Sequence, residues 1–440
     1  MEVIMKKIVL LTVCLFTVFS VFAQGNTETT DNGEIVLELA RFFGDPDDSL
    51  MDSTDLSKAN SEAAAVQILT NIFNKEHAGS IRVEKLGGSE WGSYYDQLNT
   101  TFASGNPPDV AVMHQTNMPA YASRGLLVDL EGLLANQGIQ MDDWTAPAKV
   151  AVSYDGTIYG SPFDLHANLL HVNVDIFNEA GLVDSEGVPI LPNNVEEFYA
   201  QAEIVRQKTG KLYWVEDATQ FPISYRLFHS LMEQQGVSIV DTDSNTVNVN
   251  TDAGRRALEF MNERFSRGYS DPNLDYTGAQ QVFMNGGAAI ELNGTWVVDM
   301  YNRELDFEYR AMNFPALMGD QKVWASSHMW VVPVQKEKDA HYEAAAAFAA
   351  FMNRHVYEWA VGTGHIAPNM SALEKLAEDN VPQRANYART ASIASTFPPV
   401  LNYAMIETII KEEIETCWLL GVPVEEALEK AQKRIEGVIR

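Results

Sequence analysis

Cysteine is almost absent from this chain. Of 440 residues only Cys14 and Cys417 carry a thiol, so no disulfide framework holds the fold and no cysteine-based metal site is available. Cys417 sits in an apolar helical stretch with Ile414 and Trp418, which reads as a buried structural thiol rather than a nucleophile. Basic charge is also scarce: 31 Lys+Arg face 60 Asp+Glu, for a net charge of −29. That excess repels phosphate backbones and excludes nucleic acid and anionic membrane surfaces as partners. Long apolar runs are missing too, except at the start. Residues 8–23 are uncharged and follow Lys6 and Lys7, which is the export pattern of a basic start, an apolar core and a small final residue. The chain reads as cleaved after Ala23. The alternatives are an uncleaved anchor, for which the run is short against the ~20 residues of a bilayer span, and a lipid on Cys14, where Val13 is bulky for a lipoprotein signal. Removing a net +1 with residues 1–23 takes the mature chain to −30.

Catalytic signatures are equally thin. There is no Gly-x-Ser-x-Gly elbow, P-loop or His-Glu-x-x-His, and no full calcium loop around Asp45, Asp47 and Asp48. The nine histidines are scattered along the sequence with no close ligand cluster, so neither metal nor cofactor is expected. Glu291 and Asp299 could pose as the paired carboxylates of a glycosidase, but a retaining pair needs about 5–5.5 Å between them, which sequence does not fix.

What is present is a globular composition, 46% hydrophobic and 10% aromatic, arranged in α/β order. After a polar leader at 24–33, strands at 34–40, 81–86 and 109–113 alternate with helices at 61–77 and 91–103. That alternation predicts βαβ units and a largely parallel sheet. The middle of the chain is richer in helix (194–208, 252–267), with strands at 288–292 and 327–332. An alanine-rich helix follows at 342–351, and the tail holds two helices broken at Gly421-Val422-Pro423.

Six segments in this order resemble one known family. They are Trp91-Gly92-Ser93-Tyr94-Tyr95 running to Asn106-Pro107-Pro108-Asp109; Leu126-Leu127-Val128-Asp129-Leu130; Tyr154-Asp155-Gly156 through Ser161-Pro162-Phe163-Asp164 to Ala180-Gly181-Leu182; Phe283-Met284-Asn285-Gly286-Gly287 with Asn293-Gly294-Thr295-Trp296; Gly362-Thr363-Gly364-His365-Ile366-Ala367-Pro368; and Gly421-Val422-Pro423-Val424-Glu425. Together they look like the extracytoplasmic solute-binding proteins of ABC importers, in the carbohydrate-binding, maltose-binding-protein-like group. The resemblance implies a periplasmic-binding-protein-like fold of two α/β lobes joined by hinge strands, with the ligand between them. The first lobe would be 34–165 with 331–367, the second 168–328 with 370–440, and the crossings would fall near 164–168, 327–331 and 364–368. The loop after the first strand is longer than usual for the family, around Phe43.

A sugar offers apolar ring faces edged with hydroxyls, so its cleft needs aromatic platforms beside paired polar groups. Trp91 opens a helix after the Gly87-Gly88 strand end, where parallel sheets line their crevice; it would otherwise be a core tryptophan packed on Tyr94 and Tyr95. Gln115 follows the third strand as a hydroxyl partner or an ordinary turn residue. Asp164 and His166, two apart, share a face of an extended segment as a ligand pair or a hinge salt link. Trp296 follows Gly294 at a helix start. Trp324 and His328 are the preferred ligand pair of the Trp324-Ala325-Ser326-Ser327-His328 segment, and Trp330 is assigned to the hinge. His365 and Phe43 complete the candidates.

The reading is therefore a monomeric, periplasmic or cell-surface binding protein. It would bind a carbohydrate, close about its hinge and deliver the cargo to the transmembrane subunits of an ABC permease, without enzymatic activity and without binding ATP itself. A secreted carbohydrate-active enzyme, a sensory receptor, and a binding protein for a polyamine, peptide or metal are the other classes the sequence leaves open.

Overall fold

The computed structural model describes residues 33–87, 91–335 and 339–439. The export signal at 1–23, Cys14 and almost all of the leader lie outside the described residues. Besides two short two-stranded ribbons, the strands of the main sheets are β1 (Ile35–Ala40), β2 (Ile81–Lys85), β3 (Val110–His114), β4 (Gly160–Pro162), β5 (His166–Asn173), β6 (Leu212–Val215), β7 (Ala288–Gly294), β8 (Tyr309–Met312), β9 (Val323–Ser326), β10 (His328–Val331) and β11 (Ala394–Thr396). They build a five-stranded sheet of order β2-β1-β3-β10-β4 and a six-stranded sheet of order β11-β9-β5-β7-β6, with β8 also on β5.

The expectation of largely parallel sheets holds for β2-β1-β3, β6-β7 and β9-β11, and is corrected elsewhere. Strand β10 runs antiparallel to β3 and β4, and β5 is antiparallel to β7, β8 and β9. The reason is connectivity. These strands enter or leave a sheet at the crossings between the two halves, so they are not returned by a crossover helix, which is what keeps βαβ strands parallel. The strand read at 327–332 is β10, and a further strand, β9, precedes it across a break at Ser327 and belongs to the other sheet.

Each sheet carries its own apolar core. In the first, β1 and β3 bury Leu37, Leu39 and 110–113 against helix α1 (Glu62–Glu76), helix α4 (Asp339–Arg354) and Trp359 of α5 (Val356–Thr363). Helix α1 starts where Ser61 caps it by accepting from the Ala64 N–H, leaving Ala65, Ile68, Leu69 and Phe73 on the buried face. In the second core, β5 and β7 are buried at every residue. Helix α3 (Ile223–Gln234), α6 (Tyr403–Leu419) and α7 (Val424–Glu436) pack there. The helix Met370–Glu378 buries Ala372 and Leu376 in the first core, whereas 403–436 packs in the second. Cys417 is buried in α6, and burial pushes its thiol up to about 11.

Three chain crossings meet side by side between the cores. Leu165 and Ile366 exchange backbone hydrogen bonds of 2.8 and 2.9 Å, and the Phe163 N–H donates to His328 O at 2.9 Å. No described helix is long and apolar enough to cross a membrane.

Candidate functional site

A cavity of about 360 Å³ opens between the two sheets. The first half contributes Phe43, Trp91 and His114, and the second contributes His166, Arg226 and Trp296. An adjoining cavity of about 400 Å³ shares Trp91, His114 and Arg226 and adds Trp324 and Glu407.

The position of each group follows from its element. Trp91 is the first residue of helix α2 (Trp91–Ser104) and is 40% exposed, so it is not the packed core residue of the alternative reading. Its ring meets Phe221, just ahead of α3, edge-on at 5.6 Å across the cleft. Trp296 follows Gly294 in a short 3-10 turn, and its Nε1–H donates to the Tyr276 hydroxyl at 2.8 Å. Gly294 is required there, because a Cβ would sit 2.1 Å from the indole. Trp324 lies on β9 with one ring face covered by the Arg226 guanidinium at 4.0 Å. Arg226 also sits 5.3 Å from the Trp296 ring, is half-buried at the cavity wall, and has a buried Nε with no hydrogen-bond partner among the described residues.

Asp164 does not reach the cavity. It is buried behind the wall and accepts from four donors: the His328 N–H at 3.0 Å, His328 Nδ1 at 2.7 Å, His166 Nδ1 at 3.1 Å and Trp359 Nε1 at 2.9 Å. Burial acts to raise its pKa, but the attraction of His328 and His365 and the bonds from His166 and His328 override it and hold the carboxyl well below the usual range. His166 and His328 both line the cavity. Burial, and then the neighbouring His328, push His166 down to about 3, so its imidazole is neutral. Gln115 is buried outside the cavity lining. Its backbone N–H donates to Ser327 O at 2.9 Å and its Oε1 has no partner among the described residues. His365 is buried, pairing with Thr295 Oγ1 at 2.9 Å and Glu62 Oε1 at 2.9 Å. Burial acts to lower its pKa, while Asp164 and Glu62 raise it overall. Trp330 packs in the first core against Phe163 and Phe348.

One expectation is overturned. The histidines are not all scattered in space: His114, His166 and His328 offer ring nitrogens within 4.8 Å of one another. They come together because β3 and β10 pair at His114 and His328, and β5 begins at His166 across the hinge. Sequence reasoning also passed over Arg226 and Tyr276. His114 had a usable signal, the last residue of a parallel strand. Arg226 had the apolar spacing of α3, Ile223, Leu227 and Leu231, around it.

The model of the bacterial extracellular solute-binding protein family matches residues 53–358. The chain belongs to that family. This solute-binding protein is 30% identical to the diacetylchitobiose binding protein DasA of Streptomyces coelicolor over 120 residues, 27% of this chain and 26% of DasA. It is 21% identical to the sn-glycerol-3-phosphate-binding periplasmic protein UgpB of Escherichia coli K12 over 402 residues, covering 85% of this chain and 89% of UgpB. The GacH receptor of Streptomyces glaucescens, solved unliganded and with acarbose, superposes with a TM-score of 0.76 at 18% identity, over 92% of this chain and 98% of that one. The family resemblance and the two-lobe periplasmic-binding-protein fold read from the sequence both hold.

Proposed function

We propose that this solute-binding protein is the receptor for a sugar or oligosaccharide and hands it to the transmembrane subunits of an ABC permease. The observation that carries the reading is the cleft itself. Indoles from both lobes, Trp91 and Trp296, flank a cavity whose remaining wall sets the rings of Phe43 and Phe221 beside the polar groups of Glu62, His166, Arg226 and Tyr276, which is the combination that a ring with an apolar face and a hydroxyl edge requires. Diacetylchitobiose, bound by DasA, and acarbose, bound by GacH, are of that class. Closure about the three crossings would bring the halves onto the cargo, and ligand bridging both lobes would favour the closed state. We take the lobes as 34–163 with 328–378 and 166–326 with 384–439, on the membership of the two cores. The protein works outside the cytoplasm as a periplasmic or cell-surface monomer, returns its ligand unchanged, and leaves ATP to the transporter.

A second reading rests on Arg226. A half-buried guanidinium at the cavity wall, its Nε without a partner among the described residues, suits an anionic group on the cargo, in line with the sn-glycerol 3-phosphate bound by UgpB. The test is a thermal-shift screen of residues 24–440 against neutral saccharides, sugar and glycerol phosphates, polyamines and peptides, with chromatography of the ligand afterwards. A ligand at ~100 times its dissociation constant adds ~2.7 kcal/mol to the folded state. Stabilisation by a neutral saccharide recovered intact supports the first reading. Stabilisation by phosphorylated compounds alone, lost in Arg226→Met, supports the second. Response only to polyamines or peptides overturns both.

A further inference from the structure

The cleft floor holds an arrangement that sugar recognition leaves unused. In each of His114, His166 and His328 the Nδ1 atom is already engaged by a group behind the ring: Tyr95 Oη at 2.7 Å, Asp164 Oδ1 at 3.1 Å and Asp164 Oδ2 at 2.7 Å. That leaves the Nε2 atoms, and those of His114 and His328 lie 3.2 Å apart, sharing one proton in a hydrogen bond that an ion would replace. Two ligand nitrogens on a tetrahedral ion with bonds of 2.0–2.1 Å are separated by about 3.3 Å. The Asp164 oxygens on Nδ1 of His166 and His328 fix the tautomer that leaves their Nε2 atoms free and raise their basicity, as the outer partners of metal-bound histidines do, and the Tyr95 hydroxyl can accept from His114 Nδ1 when that ring takes the same tautomer. Tyr95 also accepts from the His114 N–H at 2.9 Å, so its hydroxyl is fixed in turn. His365 is excluded from the set, since both its ring nitrogens are spoken for by Thr295 and Glu62.

We propose that His114, His166 and His328 bind one divalent transition-metal ion of the zinc class through their Nε2 atoms at the floor of the cleft. Imidazole donors select such ions over magnesium or calcium, which take oxygen. Three protein ligands leave a fourth position, and all three histidines line the cavity, so that position is open to water or to an oxygen of the cargo. Two ligands stand on strands of the first sheet and one on the second, so the ion ties the halves together beside the hinge. The inference is independent of the cargo's identity.

The experiment uses untagged protein of residues 24–440, stripped with chelator and dialysed. Zinc is titrated calorimetrically, and copper(II) is loaded for electron paramagnetic resonance, which counts the coordinating nitrogens. The proposal expects one zinc per chain, imidazole nitrogen hyperfine structure from copper, and loss of both in His114→Gln and in His166→Gln, with circular dichroism checking each fold. Tyr95→Phe tests the positioning partner: zinc affinity should fall ~10–100-fold while neutral-saccharide binding in zinc-free buffer is kept. Zinc binding that is absent, or as tight in His114→Gln as in the unaltered protein, overturns the metal site. Saccharide binding measured in the same zinc-free buffer separately decides the cargo reading.

Discussion

Replacing Asp164 by Asn probes the contact that joins the two lobes. The carboxylate is fully buried and satisfies four donors: two from His328 of the first sheet, one from His166 of the second and one from Trp359. An asparagine keeps one acceptor oxygen. With that oxygen in the place of Oδ1, it still receives His166 Nδ1 and the His328 N–H, but its amide N–H₂ then faces His328 Nδ1 and Trp359 Nε1, donor against donor. Two charge-assisted bonds at ~1.5–3 kcal/mol each are lost. A tautomer change at His328 recovers part of one, which leaves ~3–5 kcal/mol. At ~2–4 °C per kcal/mol for lobes of this size, the melting point should fall on the order of 10 °C. The sign with pH is fixed by the depressed folded pKa of Asp164. Its stabilisation is fully present above the unfolded value of ~3.9 and is lost as pH falls through the folded value, so the gap between the two proteins should be widest near pH 7 and close in acid. Urea unfolding at pH 7 and in steps toward pH 3 measures this. A loss under ~1 kcal/mol at pH 7, or one that does not shrink in acid, would refute the reasoning.

Glu291, buried in β7 beside Tyr301 and Asn293, is pushed up to about 7 by burial against the bonds from those neighbours. Its contribution is therefore full below the unfolded value of ~4.3 and is lost as pH rises through 7, and the stability difference between the native protein and Glu291→Gln should drift by ~3 kcal/mol over that window; denaturant titrations at pH 5 and 8 read it. Gly364 has φ +93°, and an added Cβ would lie 2.3 Å from Thr295 O and 2.8 Å from Val298 Cβ. Gly364→Ala should cost ~2–4 kcal/mol by chemical denaturation. If Trp296 is a stacking platform, Trp296→Ala should weaken the saccharide found in the screen by ~1–3 kcal/mol, by analogy with base stacking, or roughly 5- to 150-fold in Kd by calorimetry; unchanged affinity in the folded variant would remove it from the site.

The start of the first lobe was legible because β2 and α1 each bury one face. Strand β2 alternates apolar and charged residues, and α1 repeats its apolar stripe, so periodicity names them. The hinge was harder. Strand β5 is buried on both faces at all eight residues, which erases the alternation that marks a strand, and the break at Ser327 is invisible because neither side changes composition. Helix α3 was missed because its N-cap is Pro222, with no side-chain cap bond. In the cleft, Trp91 and Trp296 announced themselves through their place at helix starts. His166 and His328 were candidates too, but their meeting with His114 was not legible, because 214 residues separate the first from the last, and only the pairing of β3 with β10 makes them neighbours. Asp164 was visible as a candidate, but its inward turn depends on Trp359, far along the chain.

The edge contact between Trp91 and Phe221 bears on how fast cargo exchanges. An aromatic pair of that geometry adds ~0.5–1.5 kcal/mol beyond its area, so it shifts the balance between shut and open cleft by roughly two- to twelve-fold. That is enough to lengthen the residence time of a bound solute and too little to trap it. A transporter pulling the lobes apart would meet small resistance at the cleft mouth, and the main barrier to release would come from the cargo's own contacts deeper in the cavity.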